Sequence, residues 1–141
     1  MKKLFRLIDV NFNRLQEGLR VCEDIARFML VDKQLTRSFK VLRHAVGALR
    51  KKVTPKKVFL IESRSVRGDV GKKSIPTEII RKNIKDVFRA NIQRSKESLR
   101  VLEEVTKLFD RKMSQRFKRM RFGIYELEKK ARLKLDVVLH S

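Results

Sequence analysis

Residues 11–23 read NFNRLQEGLRVCE, and eighty positions later residues 91–103 read NIQRSKESLRVLE. Asn11, Arg14, Glu17, Leu19, Arg20, Val21 and Glu23 recur as Asn91, Arg94, Glu97, Leu99, Arg100, Val101 and Glu103, and the copies continue as Asp24-Ile25 and Glu104-Val105. A duplicated core would keep its apolar spacing and let surface charges drift. Here the polar set survives while its neighbours change, as in Leu15 to Ser95 and Gly18 to Ser98. The comparison points to a site.

Helical spacing runs outward from that stretch. Leu4, Leu7, Ile8, Leu15, Leu19, Cys22, Ile25, Ala26 and Met29 fit one face of a helix over about residues 2–30. Leu35, Phe39, Leu42, Val46, Leu49 and Val53 make a second, with Asp32 placed to cap it. Thr54-Pro55 reads as N-cap and first helical position of a short helix to about Glu62. From Ser63 to Pro76 the pattern fails, and Gly68, Gly71 and Pro76 mark a loop. A long helix is expected from about Thr77 to Phe109, and Met113, Phe117, Met120, Ile124, Leu127, Ala131, Leu135 and Val138 define the last one. The run Val58-Phe59-Leu60-Ile61 is too isolated for a sheet.

The repeat extends beyond the polar motif. Leu4, Leu7 and Ile8 pair with Ile84, Val87 and Phe88 at the same offset, while Phe39-Lys40, Arg43, Leu49 and Lys51-Lys52 match Phe117-Lys118, Arg121, Leu127 and Lys129-Lys130 at an offset of seventy-eight. The expected fold is all-α: one domain over 1–141, built from two copies of a helical hairpin, 2–53 and 77–139, joined by a connector, 54–76. Two hairpins pack most simply as a four-helix bundle with pseudo-two-fold symmetry.

Composition bounds the function. Lys and Arg number 37 against 16 acids, a net charge of +21. That field attracts nucleic acid, acidic membrane, nucleotides or phosphorylated metabolites without choosing among them, and with few Gly and Pro it also suits heat adaptation. Apolar residues at 42% suffice for one core. A single cysteine, Cys22, excludes an intrachain disulfide and fits a cytoplasmic setting. No signal peptide is read at the start, and no stretch approaches the ~20 apolar residues of a membrane span. Two His and one Cys disfavour a dedicated zinc site.

On a helical wheel Leu4, Leu7, Leu15 and Cys22 lie within about 40° of Asn11, so this amide sits inside the apolar stripe, as Asn91 does among Val87, Ser95 and Leu102. A buried amide without partners costs ~1–3 kcal/mol. The two Asn either bond each other across the pseudo-axis or read a ligand. Arg14 and Arg94 fall at the stripe edge, where a guanidinium can reach into a cleft and grip phosphate. Arg20, Glu23 and Glu103 read equally well as a surface ion ladder. The segment Arg64 to Ser74 offers Arg64, Gly68, Asp69 and Gly71 for phosphate and magnesium or serves as a basic linker. It is no Walker A loop, because only two residues separate Gly68 from Gly71. Cys22 lies on the apolar face and is replaced by Leu102, and His44 is replaced by Phe122, so nucleophilic catalysis finds no support.

Ile8-Asp9-Val10-Asn11-Phe12-Asn13-Arg14, Glu17-Gly18-Leu19-Arg20-Val21 with Glu23-Asp24, Asp69-Val70-Gly71, and Ala90-Asn91 through Glu104 together resemble one family, the small monofunctional hydroxymethylpyrimidine phosphate kinase. That domain often precedes thiamine phosphate synthase in one polypeptide and also stands alone, which this chain is expected to do. The resemblance implies transfer of the ATP γ-phosphoryl group to 4-amino-5-hydroxymethyl-2-methylpyrimidine phosphate with Mg2+. On that reading Arg14, Arg94 and Asp69 are catalytic. Asn11, Asn91, Glu17, Glu97, Arg20, Arg100, Arg64, Gly71 and Arg121 bind the pyrimidine phosphate and nucleotide, and Asp69 and Glu97 hold the metal. Ser65 and Lys72 depart from the family pattern, which expects Asp and Thr there. Self-association is left open by the apolar Leu135 to Leu139. The alternative is a basic helical module that binds nucleic acid, disfavoured because nine Phe and one Tyr fall mostly at core spacing.

Overall fold

The computed structural model describes residues 2–53 and 81–140. Every described element is helical: α1 (Lys2–Asp24), a π-helical turn (Ile25–Met29), α2 (Lys33–Val53), α3 (Ile84–Thr106) and α4 (Arg111–His140). The described residues form an all-α bundle of four helices. None of them is long and apolar enough to cross a membrane. The expected short helix, the loop, and with them Arg64, Asp69 and Gly71, lie outside the described residues.

The apolar stripes become the core. Ile8, Phe12, Leu15, Leu19 and Cys22 of α1 are wholly buried, as are Phe39, Phe88, Phe117 and Ile124 from the other helices. Burying each of these phenylalanines contributes about 1.5–3 kcal/mol. They meet edge to face across the bundle, Phe12 with Phe117 at 5.8 Å and Phe39 with Phe88 at 6.3 Å.

Helix ends follow side-chain caps. Asp32 accepts from Leu35 N at 2.9 Å, and Asp110, which the sequence repeat aligns with it, accepts from Met113 N at 3.1 Å. The third long helix begins later than the sequence suggests. Asn83, extended at φ −153°, accepts from Asp86 N at 3.0 Å and starts α3 at Ile84 rather than near Thr77. The helix closes at Thr106, and Asp110 N bonds back to Thr106 O at 2.7 Å.

The change of offset from eighty to seventy-eight has a structural cause. Between Asp24/Glu104 and Asp32/Asp110 the first turn holds two more residues than the second. They are absorbed by the π-helical turn, where Leu30 N bonds Ile25 O at 3.0 Å, and by Val31 at φ 48°. A π segment is one inserted residue inside a helix, and a β-branched residue in the left-handed region is strained.

α1 packs more extensively on α3 than on its chain neighbour α2, while α2 and α4 meet over a much smaller surface. Lys85 of α3 pairs with Asp136 of α4, and Lys134 of α4 pairs with Asp32. The start of α3 therefore lies at the end of α1, and the two helices run antiparallel. Their crossing is tight: a Cβ on Gly18 would stand 2.3 Å from Ser95 Oγ and 2.8 Å from Asn91 O. Ser95 and Ser98 turn their hydroxyls back to Asn91 O and Arg94 O, at 3.0 and 2.7 Å.

One pair of contacts differs in sign between positions that the sequence repeat aligns. Arg50 of α2 bonds Asp9 of α1 at 2.6 Å and also reaches Gln16. At the corresponding place Lys96 of α3 pairs with Glu128 of α4 at 2.8 Å. Gln16 corresponds to Lys96, and Arg50 to Glu128.

Candidate functional site

The duplicated acids are both buried. Glu23 has 0% and Glu103 3% of its surface exposed. Each carboxylate accepts from an arginine of the following helix, Arg43 Nε at 2.8 Å and Arg121 Nε at 3.0 Å. Arg20 and Arg100 flank them one turn earlier at 3.8 and 3.5 Å, and Arg27 adds a contact to Glu23 at 3.2 Å. Burial pushes the Glu23 carboxyl up. The Arg43 hydrogen bond and the charges of Arg43, Arg20 and Arg27 outweigh it and hold the group below the usual carboxylate range. The Arg121 guanidinium is pushed up, chiefly by its bond to Glu103. The ladder expected of Arg20, Glu23 and Glu103 is thus a buried pair with exposed flanks, and Arg121 belongs to it.

The two asparagines also turn inward on their own helices. Asn11, 2% exposed, donates Nδ2 to Leu7 O at 2.9 Å, and Asn91 donates to Val87 O at 2.8 Å. Arg14 and Arg94 are exposed, with no ion pair among the described residues. Glu97 is exposed and accepts from Gln93 Nε2 at 3.0 Å. Where the twin amide and guanidinium sets were expected to frame a hollow, the small residues Gly18 and Ser95 let the backbones of α1 and α3 touch.

Two of the expected residues, Glu17 and Arg20, line a groove of about 920 Å3 between α1 and α2. Arg43, His44, Lys51 and Lys52 bring its other charges from α2, and Gln16 completes the α1 wall. The groove is open because α2 carries Gly47 and Ala48 at its base. A Cβ on Gly47 would meet only Gln16 Nε2, at 3.8 Å. At the corresponding positions α4 carries Phe122, Tyr125 and Glu126 in place of His44, Gly47 and Ala48. There the rings of Phe122 and Tyr125 stand 6.3 Å apart, with Lys96 Nζ 5.2 Å from the Tyr125 centroid and Arg121 over Phe122.

Lys51 and Lys52 make no ion pair among the described residues, and Glu17 is the one carboxylate in the groove lining. Such a wall attracts anions. Arginine grips phosphate through its planar fork, and lysine adds a point charge. Sequence reasoning passed over Arg43, His44, Lys51 and Lys52 because no single helix shows the groove; the usable signal was the exchange of Gly47 for Tyr125. Among the described residues no three His, Cys, Asp or Glu gather as a metal site. Cys22 is buried, and its thiol is pushed far up by burial and by the Glu128 charge, so it stays protonated in the core.

The chain matches the sequence model of the ThiD2 family over residues 6–130. Its relatives include a thiamine-phosphate synthase of a Nostoc species, 40% identical over 126 residues, which span 89% of this chain and 34% of the relative. A thiamine-phosphate synthase of a Synechocystis species is 36% identical over 124 residues, 87% of this chain and 34% of the relative, and that of Rhodopirellula baltica is 33% identical over 135 residues, 95% and 36%. The chain thus spans about a third of the length of the curated relatives it matches. No solved structure matches it. These relatives carry the name of a synthase and not of a kinase. The hydroxymethylpyrimidine phosphate kinase identification, its phosphoryl-transfer activity and its phosphotransferase class are therefore corrected.

Proposed function

The chain belongs to the ThiD2 family, and on that premise we propose that it serves thiamine phosphate formation by holding a phosphorylated small molecule in the α1–α2 groove. The observation that carries this reading is the groove wall itself: Lys51 and Lys52, without ion pairs among the described residues, beside Arg20 and Arg43, which also contact Glu23, with Glu17 the one carboxylate in the lining. A net charge of +21 raises the local concentration of anionic ligands. At about 920 Å3 the groove falls within the ~300–1,000 Å3 of small-molecule sites. A pyrimidine phosphate or a nucleotide is the ligand class; any Mg2+ would arrive on the ligand's phosphates, with Glu17 the carboxylate nearest to hand. We read the bundle as a duplicated hairpin in which one half keeps its groove and the other fills it with Tyr125. Arg14 and Arg94, exposed and unpaired among the described residues, extend the anionic attraction along α1 and α3.

The test is thermal melting and calorimetry at constant ionic strength with inorganic diphosphate and pyrimidine phosphates. A ligand at 100 times its Kd adds about 2.7 kcal/mol, a rise in Tm of roughly 8 °C. Gly47→Tyr, which copies Tyr125, should close the groove and weaken binding at least tenfold without lowering the ligand-free Tm. No Tm response to any phosphate, or unweakened binding in Gly47→Tyr, would sink the proposal.

A further inference from the structure

A second groove, about 490 Å3, lies between α2 and α4, across the ridge of α2 from the first. Ala48 and Lys52 line both. Its chemistry is different. The floor is apolar, from Leu42, Leu49 and Met120, and the rim carries three cations, Lys52, Arg116 and Arg119. None of the three makes an ion pair among the described residues. The groove exists because α2 and α4 barely meet and because their facing positions are small. A Cβ on Gly123 would find nothing within 4 Å.

Two unfavourable features coincide here: an apolar floor is open to solvent, and the three lining cations have no ion-pair partner among the described residues. A single kind of ligand relieves both. We propose that the α2–α4 groove binds a phosphate monoester with a flat apolar body, the body on Leu42, Leu49 and Met120 and the phosphate between Lys52, Arg116 and Arg119. A partner helix, about 10 Å across, needs a longer trough than this volume gives, whereas a small molecule fits it. Because Lys52 faces both grooves, removal of its charge weakens anions in each.

The probe is phenyl phosphate, titrated calorimetrically into the full chain carrying Gly47→Tyr, so that the first groove is closed. Phenyl phosphate should bind at least fivefold more tightly than inorganic phosphate, because only the former uses the floor. Adding Gly123→Leu, whose Cβ has room, should weaken phenyl phosphate at least tenfold with Tm maintained. Gly123→Leu alone should leave diphosphate binding in the first groove unchanged. The pair Arg116→Ser and Arg119→Ser supplies a second variant on exposed positions and should give a similar loss. Unchanged phenyl phosphate affinity in both variants overturns the proposal, as does its complete loss in Gly47→Tyr alone. Loss confined to Gly123→Leu, in a protein that never binds diphosphate, supports this site while removing the reading of the first groove.

Discussion

Alanine in place of each of three helical glycines gains the same helix propensity, about 1 kcal/mol, but meets three different surroundings. At Gly18 the new methyl would lie 2.3 Å from Ser95 Oγ and 2.8 Å from Asn91 O. Ser95 can rotate away, at the loss of its 3.0 Å bond to Asn91 O, a cost of about 0.5–1.5 kcal/mol. Asn91 O is backbone and cannot rotate, so α1 and α3 must part along their most extensive contact. Overpacking of that kind costs about 1–3 kcal/mol. The net for Gly18→Ala is a loss of about 2 kcal/mol, or a fall in Tm of roughly 6 °C. At Gly47 the methyl meets only Gln16 Nε2 at 3.8 Å, and at Gly123 it meets nothing. Both substitutions should raise stability by up to ~1 kcal/mol. Urea denaturation and melting followed by circular dichroism at 222 nm read all three on one scale. A Gly18→Ala protein as stable as the wild type would refute the packing described for the α1–α3 crossing, and a destabilised Gly123→Ala would refute the open surroundings described for Gly123.

Glu23→Gln leaves Arg43 without its carboxylate at a buried position and should cost about 2–4 kcal/mol in urea, whereas Glu97→Gln on the exposed face should change nothing measurable. The native Glu23 carboxyl titrates below its unfolded value of about 4.3, so the unfolded chain binds more protons as acid is added. The contribution is complete above about pH 5 and is lost as pH falls through the native value. The gap between wild type and Glu23→Gln should hold constant at neutral pH and narrow in acid; a gap that widens in acid contradicts the assignment. Val31→Asn relieves a β-branched residue at φ 48°, on an exposed turn, and should gain about 0.5–1 kcal/mol by calorimetry. A lower Tm would show that Val31 is held by packing instead.

Periodicity made the four long helices legible, and Asp32 announced its helix because a capping side chain acts within three residues. The same local logic failed at Asn83, where an unbroken apolar pattern hid the start of α3 behind a longer helix. The sequence repeat changes its offset, yet that number alone does not say that a π-helical turn and a strained Val31 lie in the longer of the two turns. The partnership of Glu23 with Arg43 and of Glu103 with Arg121 stood in the aligned repeats, since both members recur. Burial turned it from a surface ladder into an interior one. The groove was least legible. It depends on how far apart two helices stand, which Gly47 and Ala48 allow and no wheel displays.

The exchange of sign between Arg50 with Asp9 and Lys96 with Glu128 has a consequence for how near-duplicate segments find their places. If α2 docked against α3 instead of α1, Arg50 would be pressed toward Lys96, and the displaced α4 would bring Glu128 toward Asp9. Each wrong marriage sets like against like in a partly dry seam, where repulsion is costly. Arg50, Asp9, Lys96 and Glu128 thereby act as address labels, the places where mis-threaded or helix-exchanged forms would be turned away.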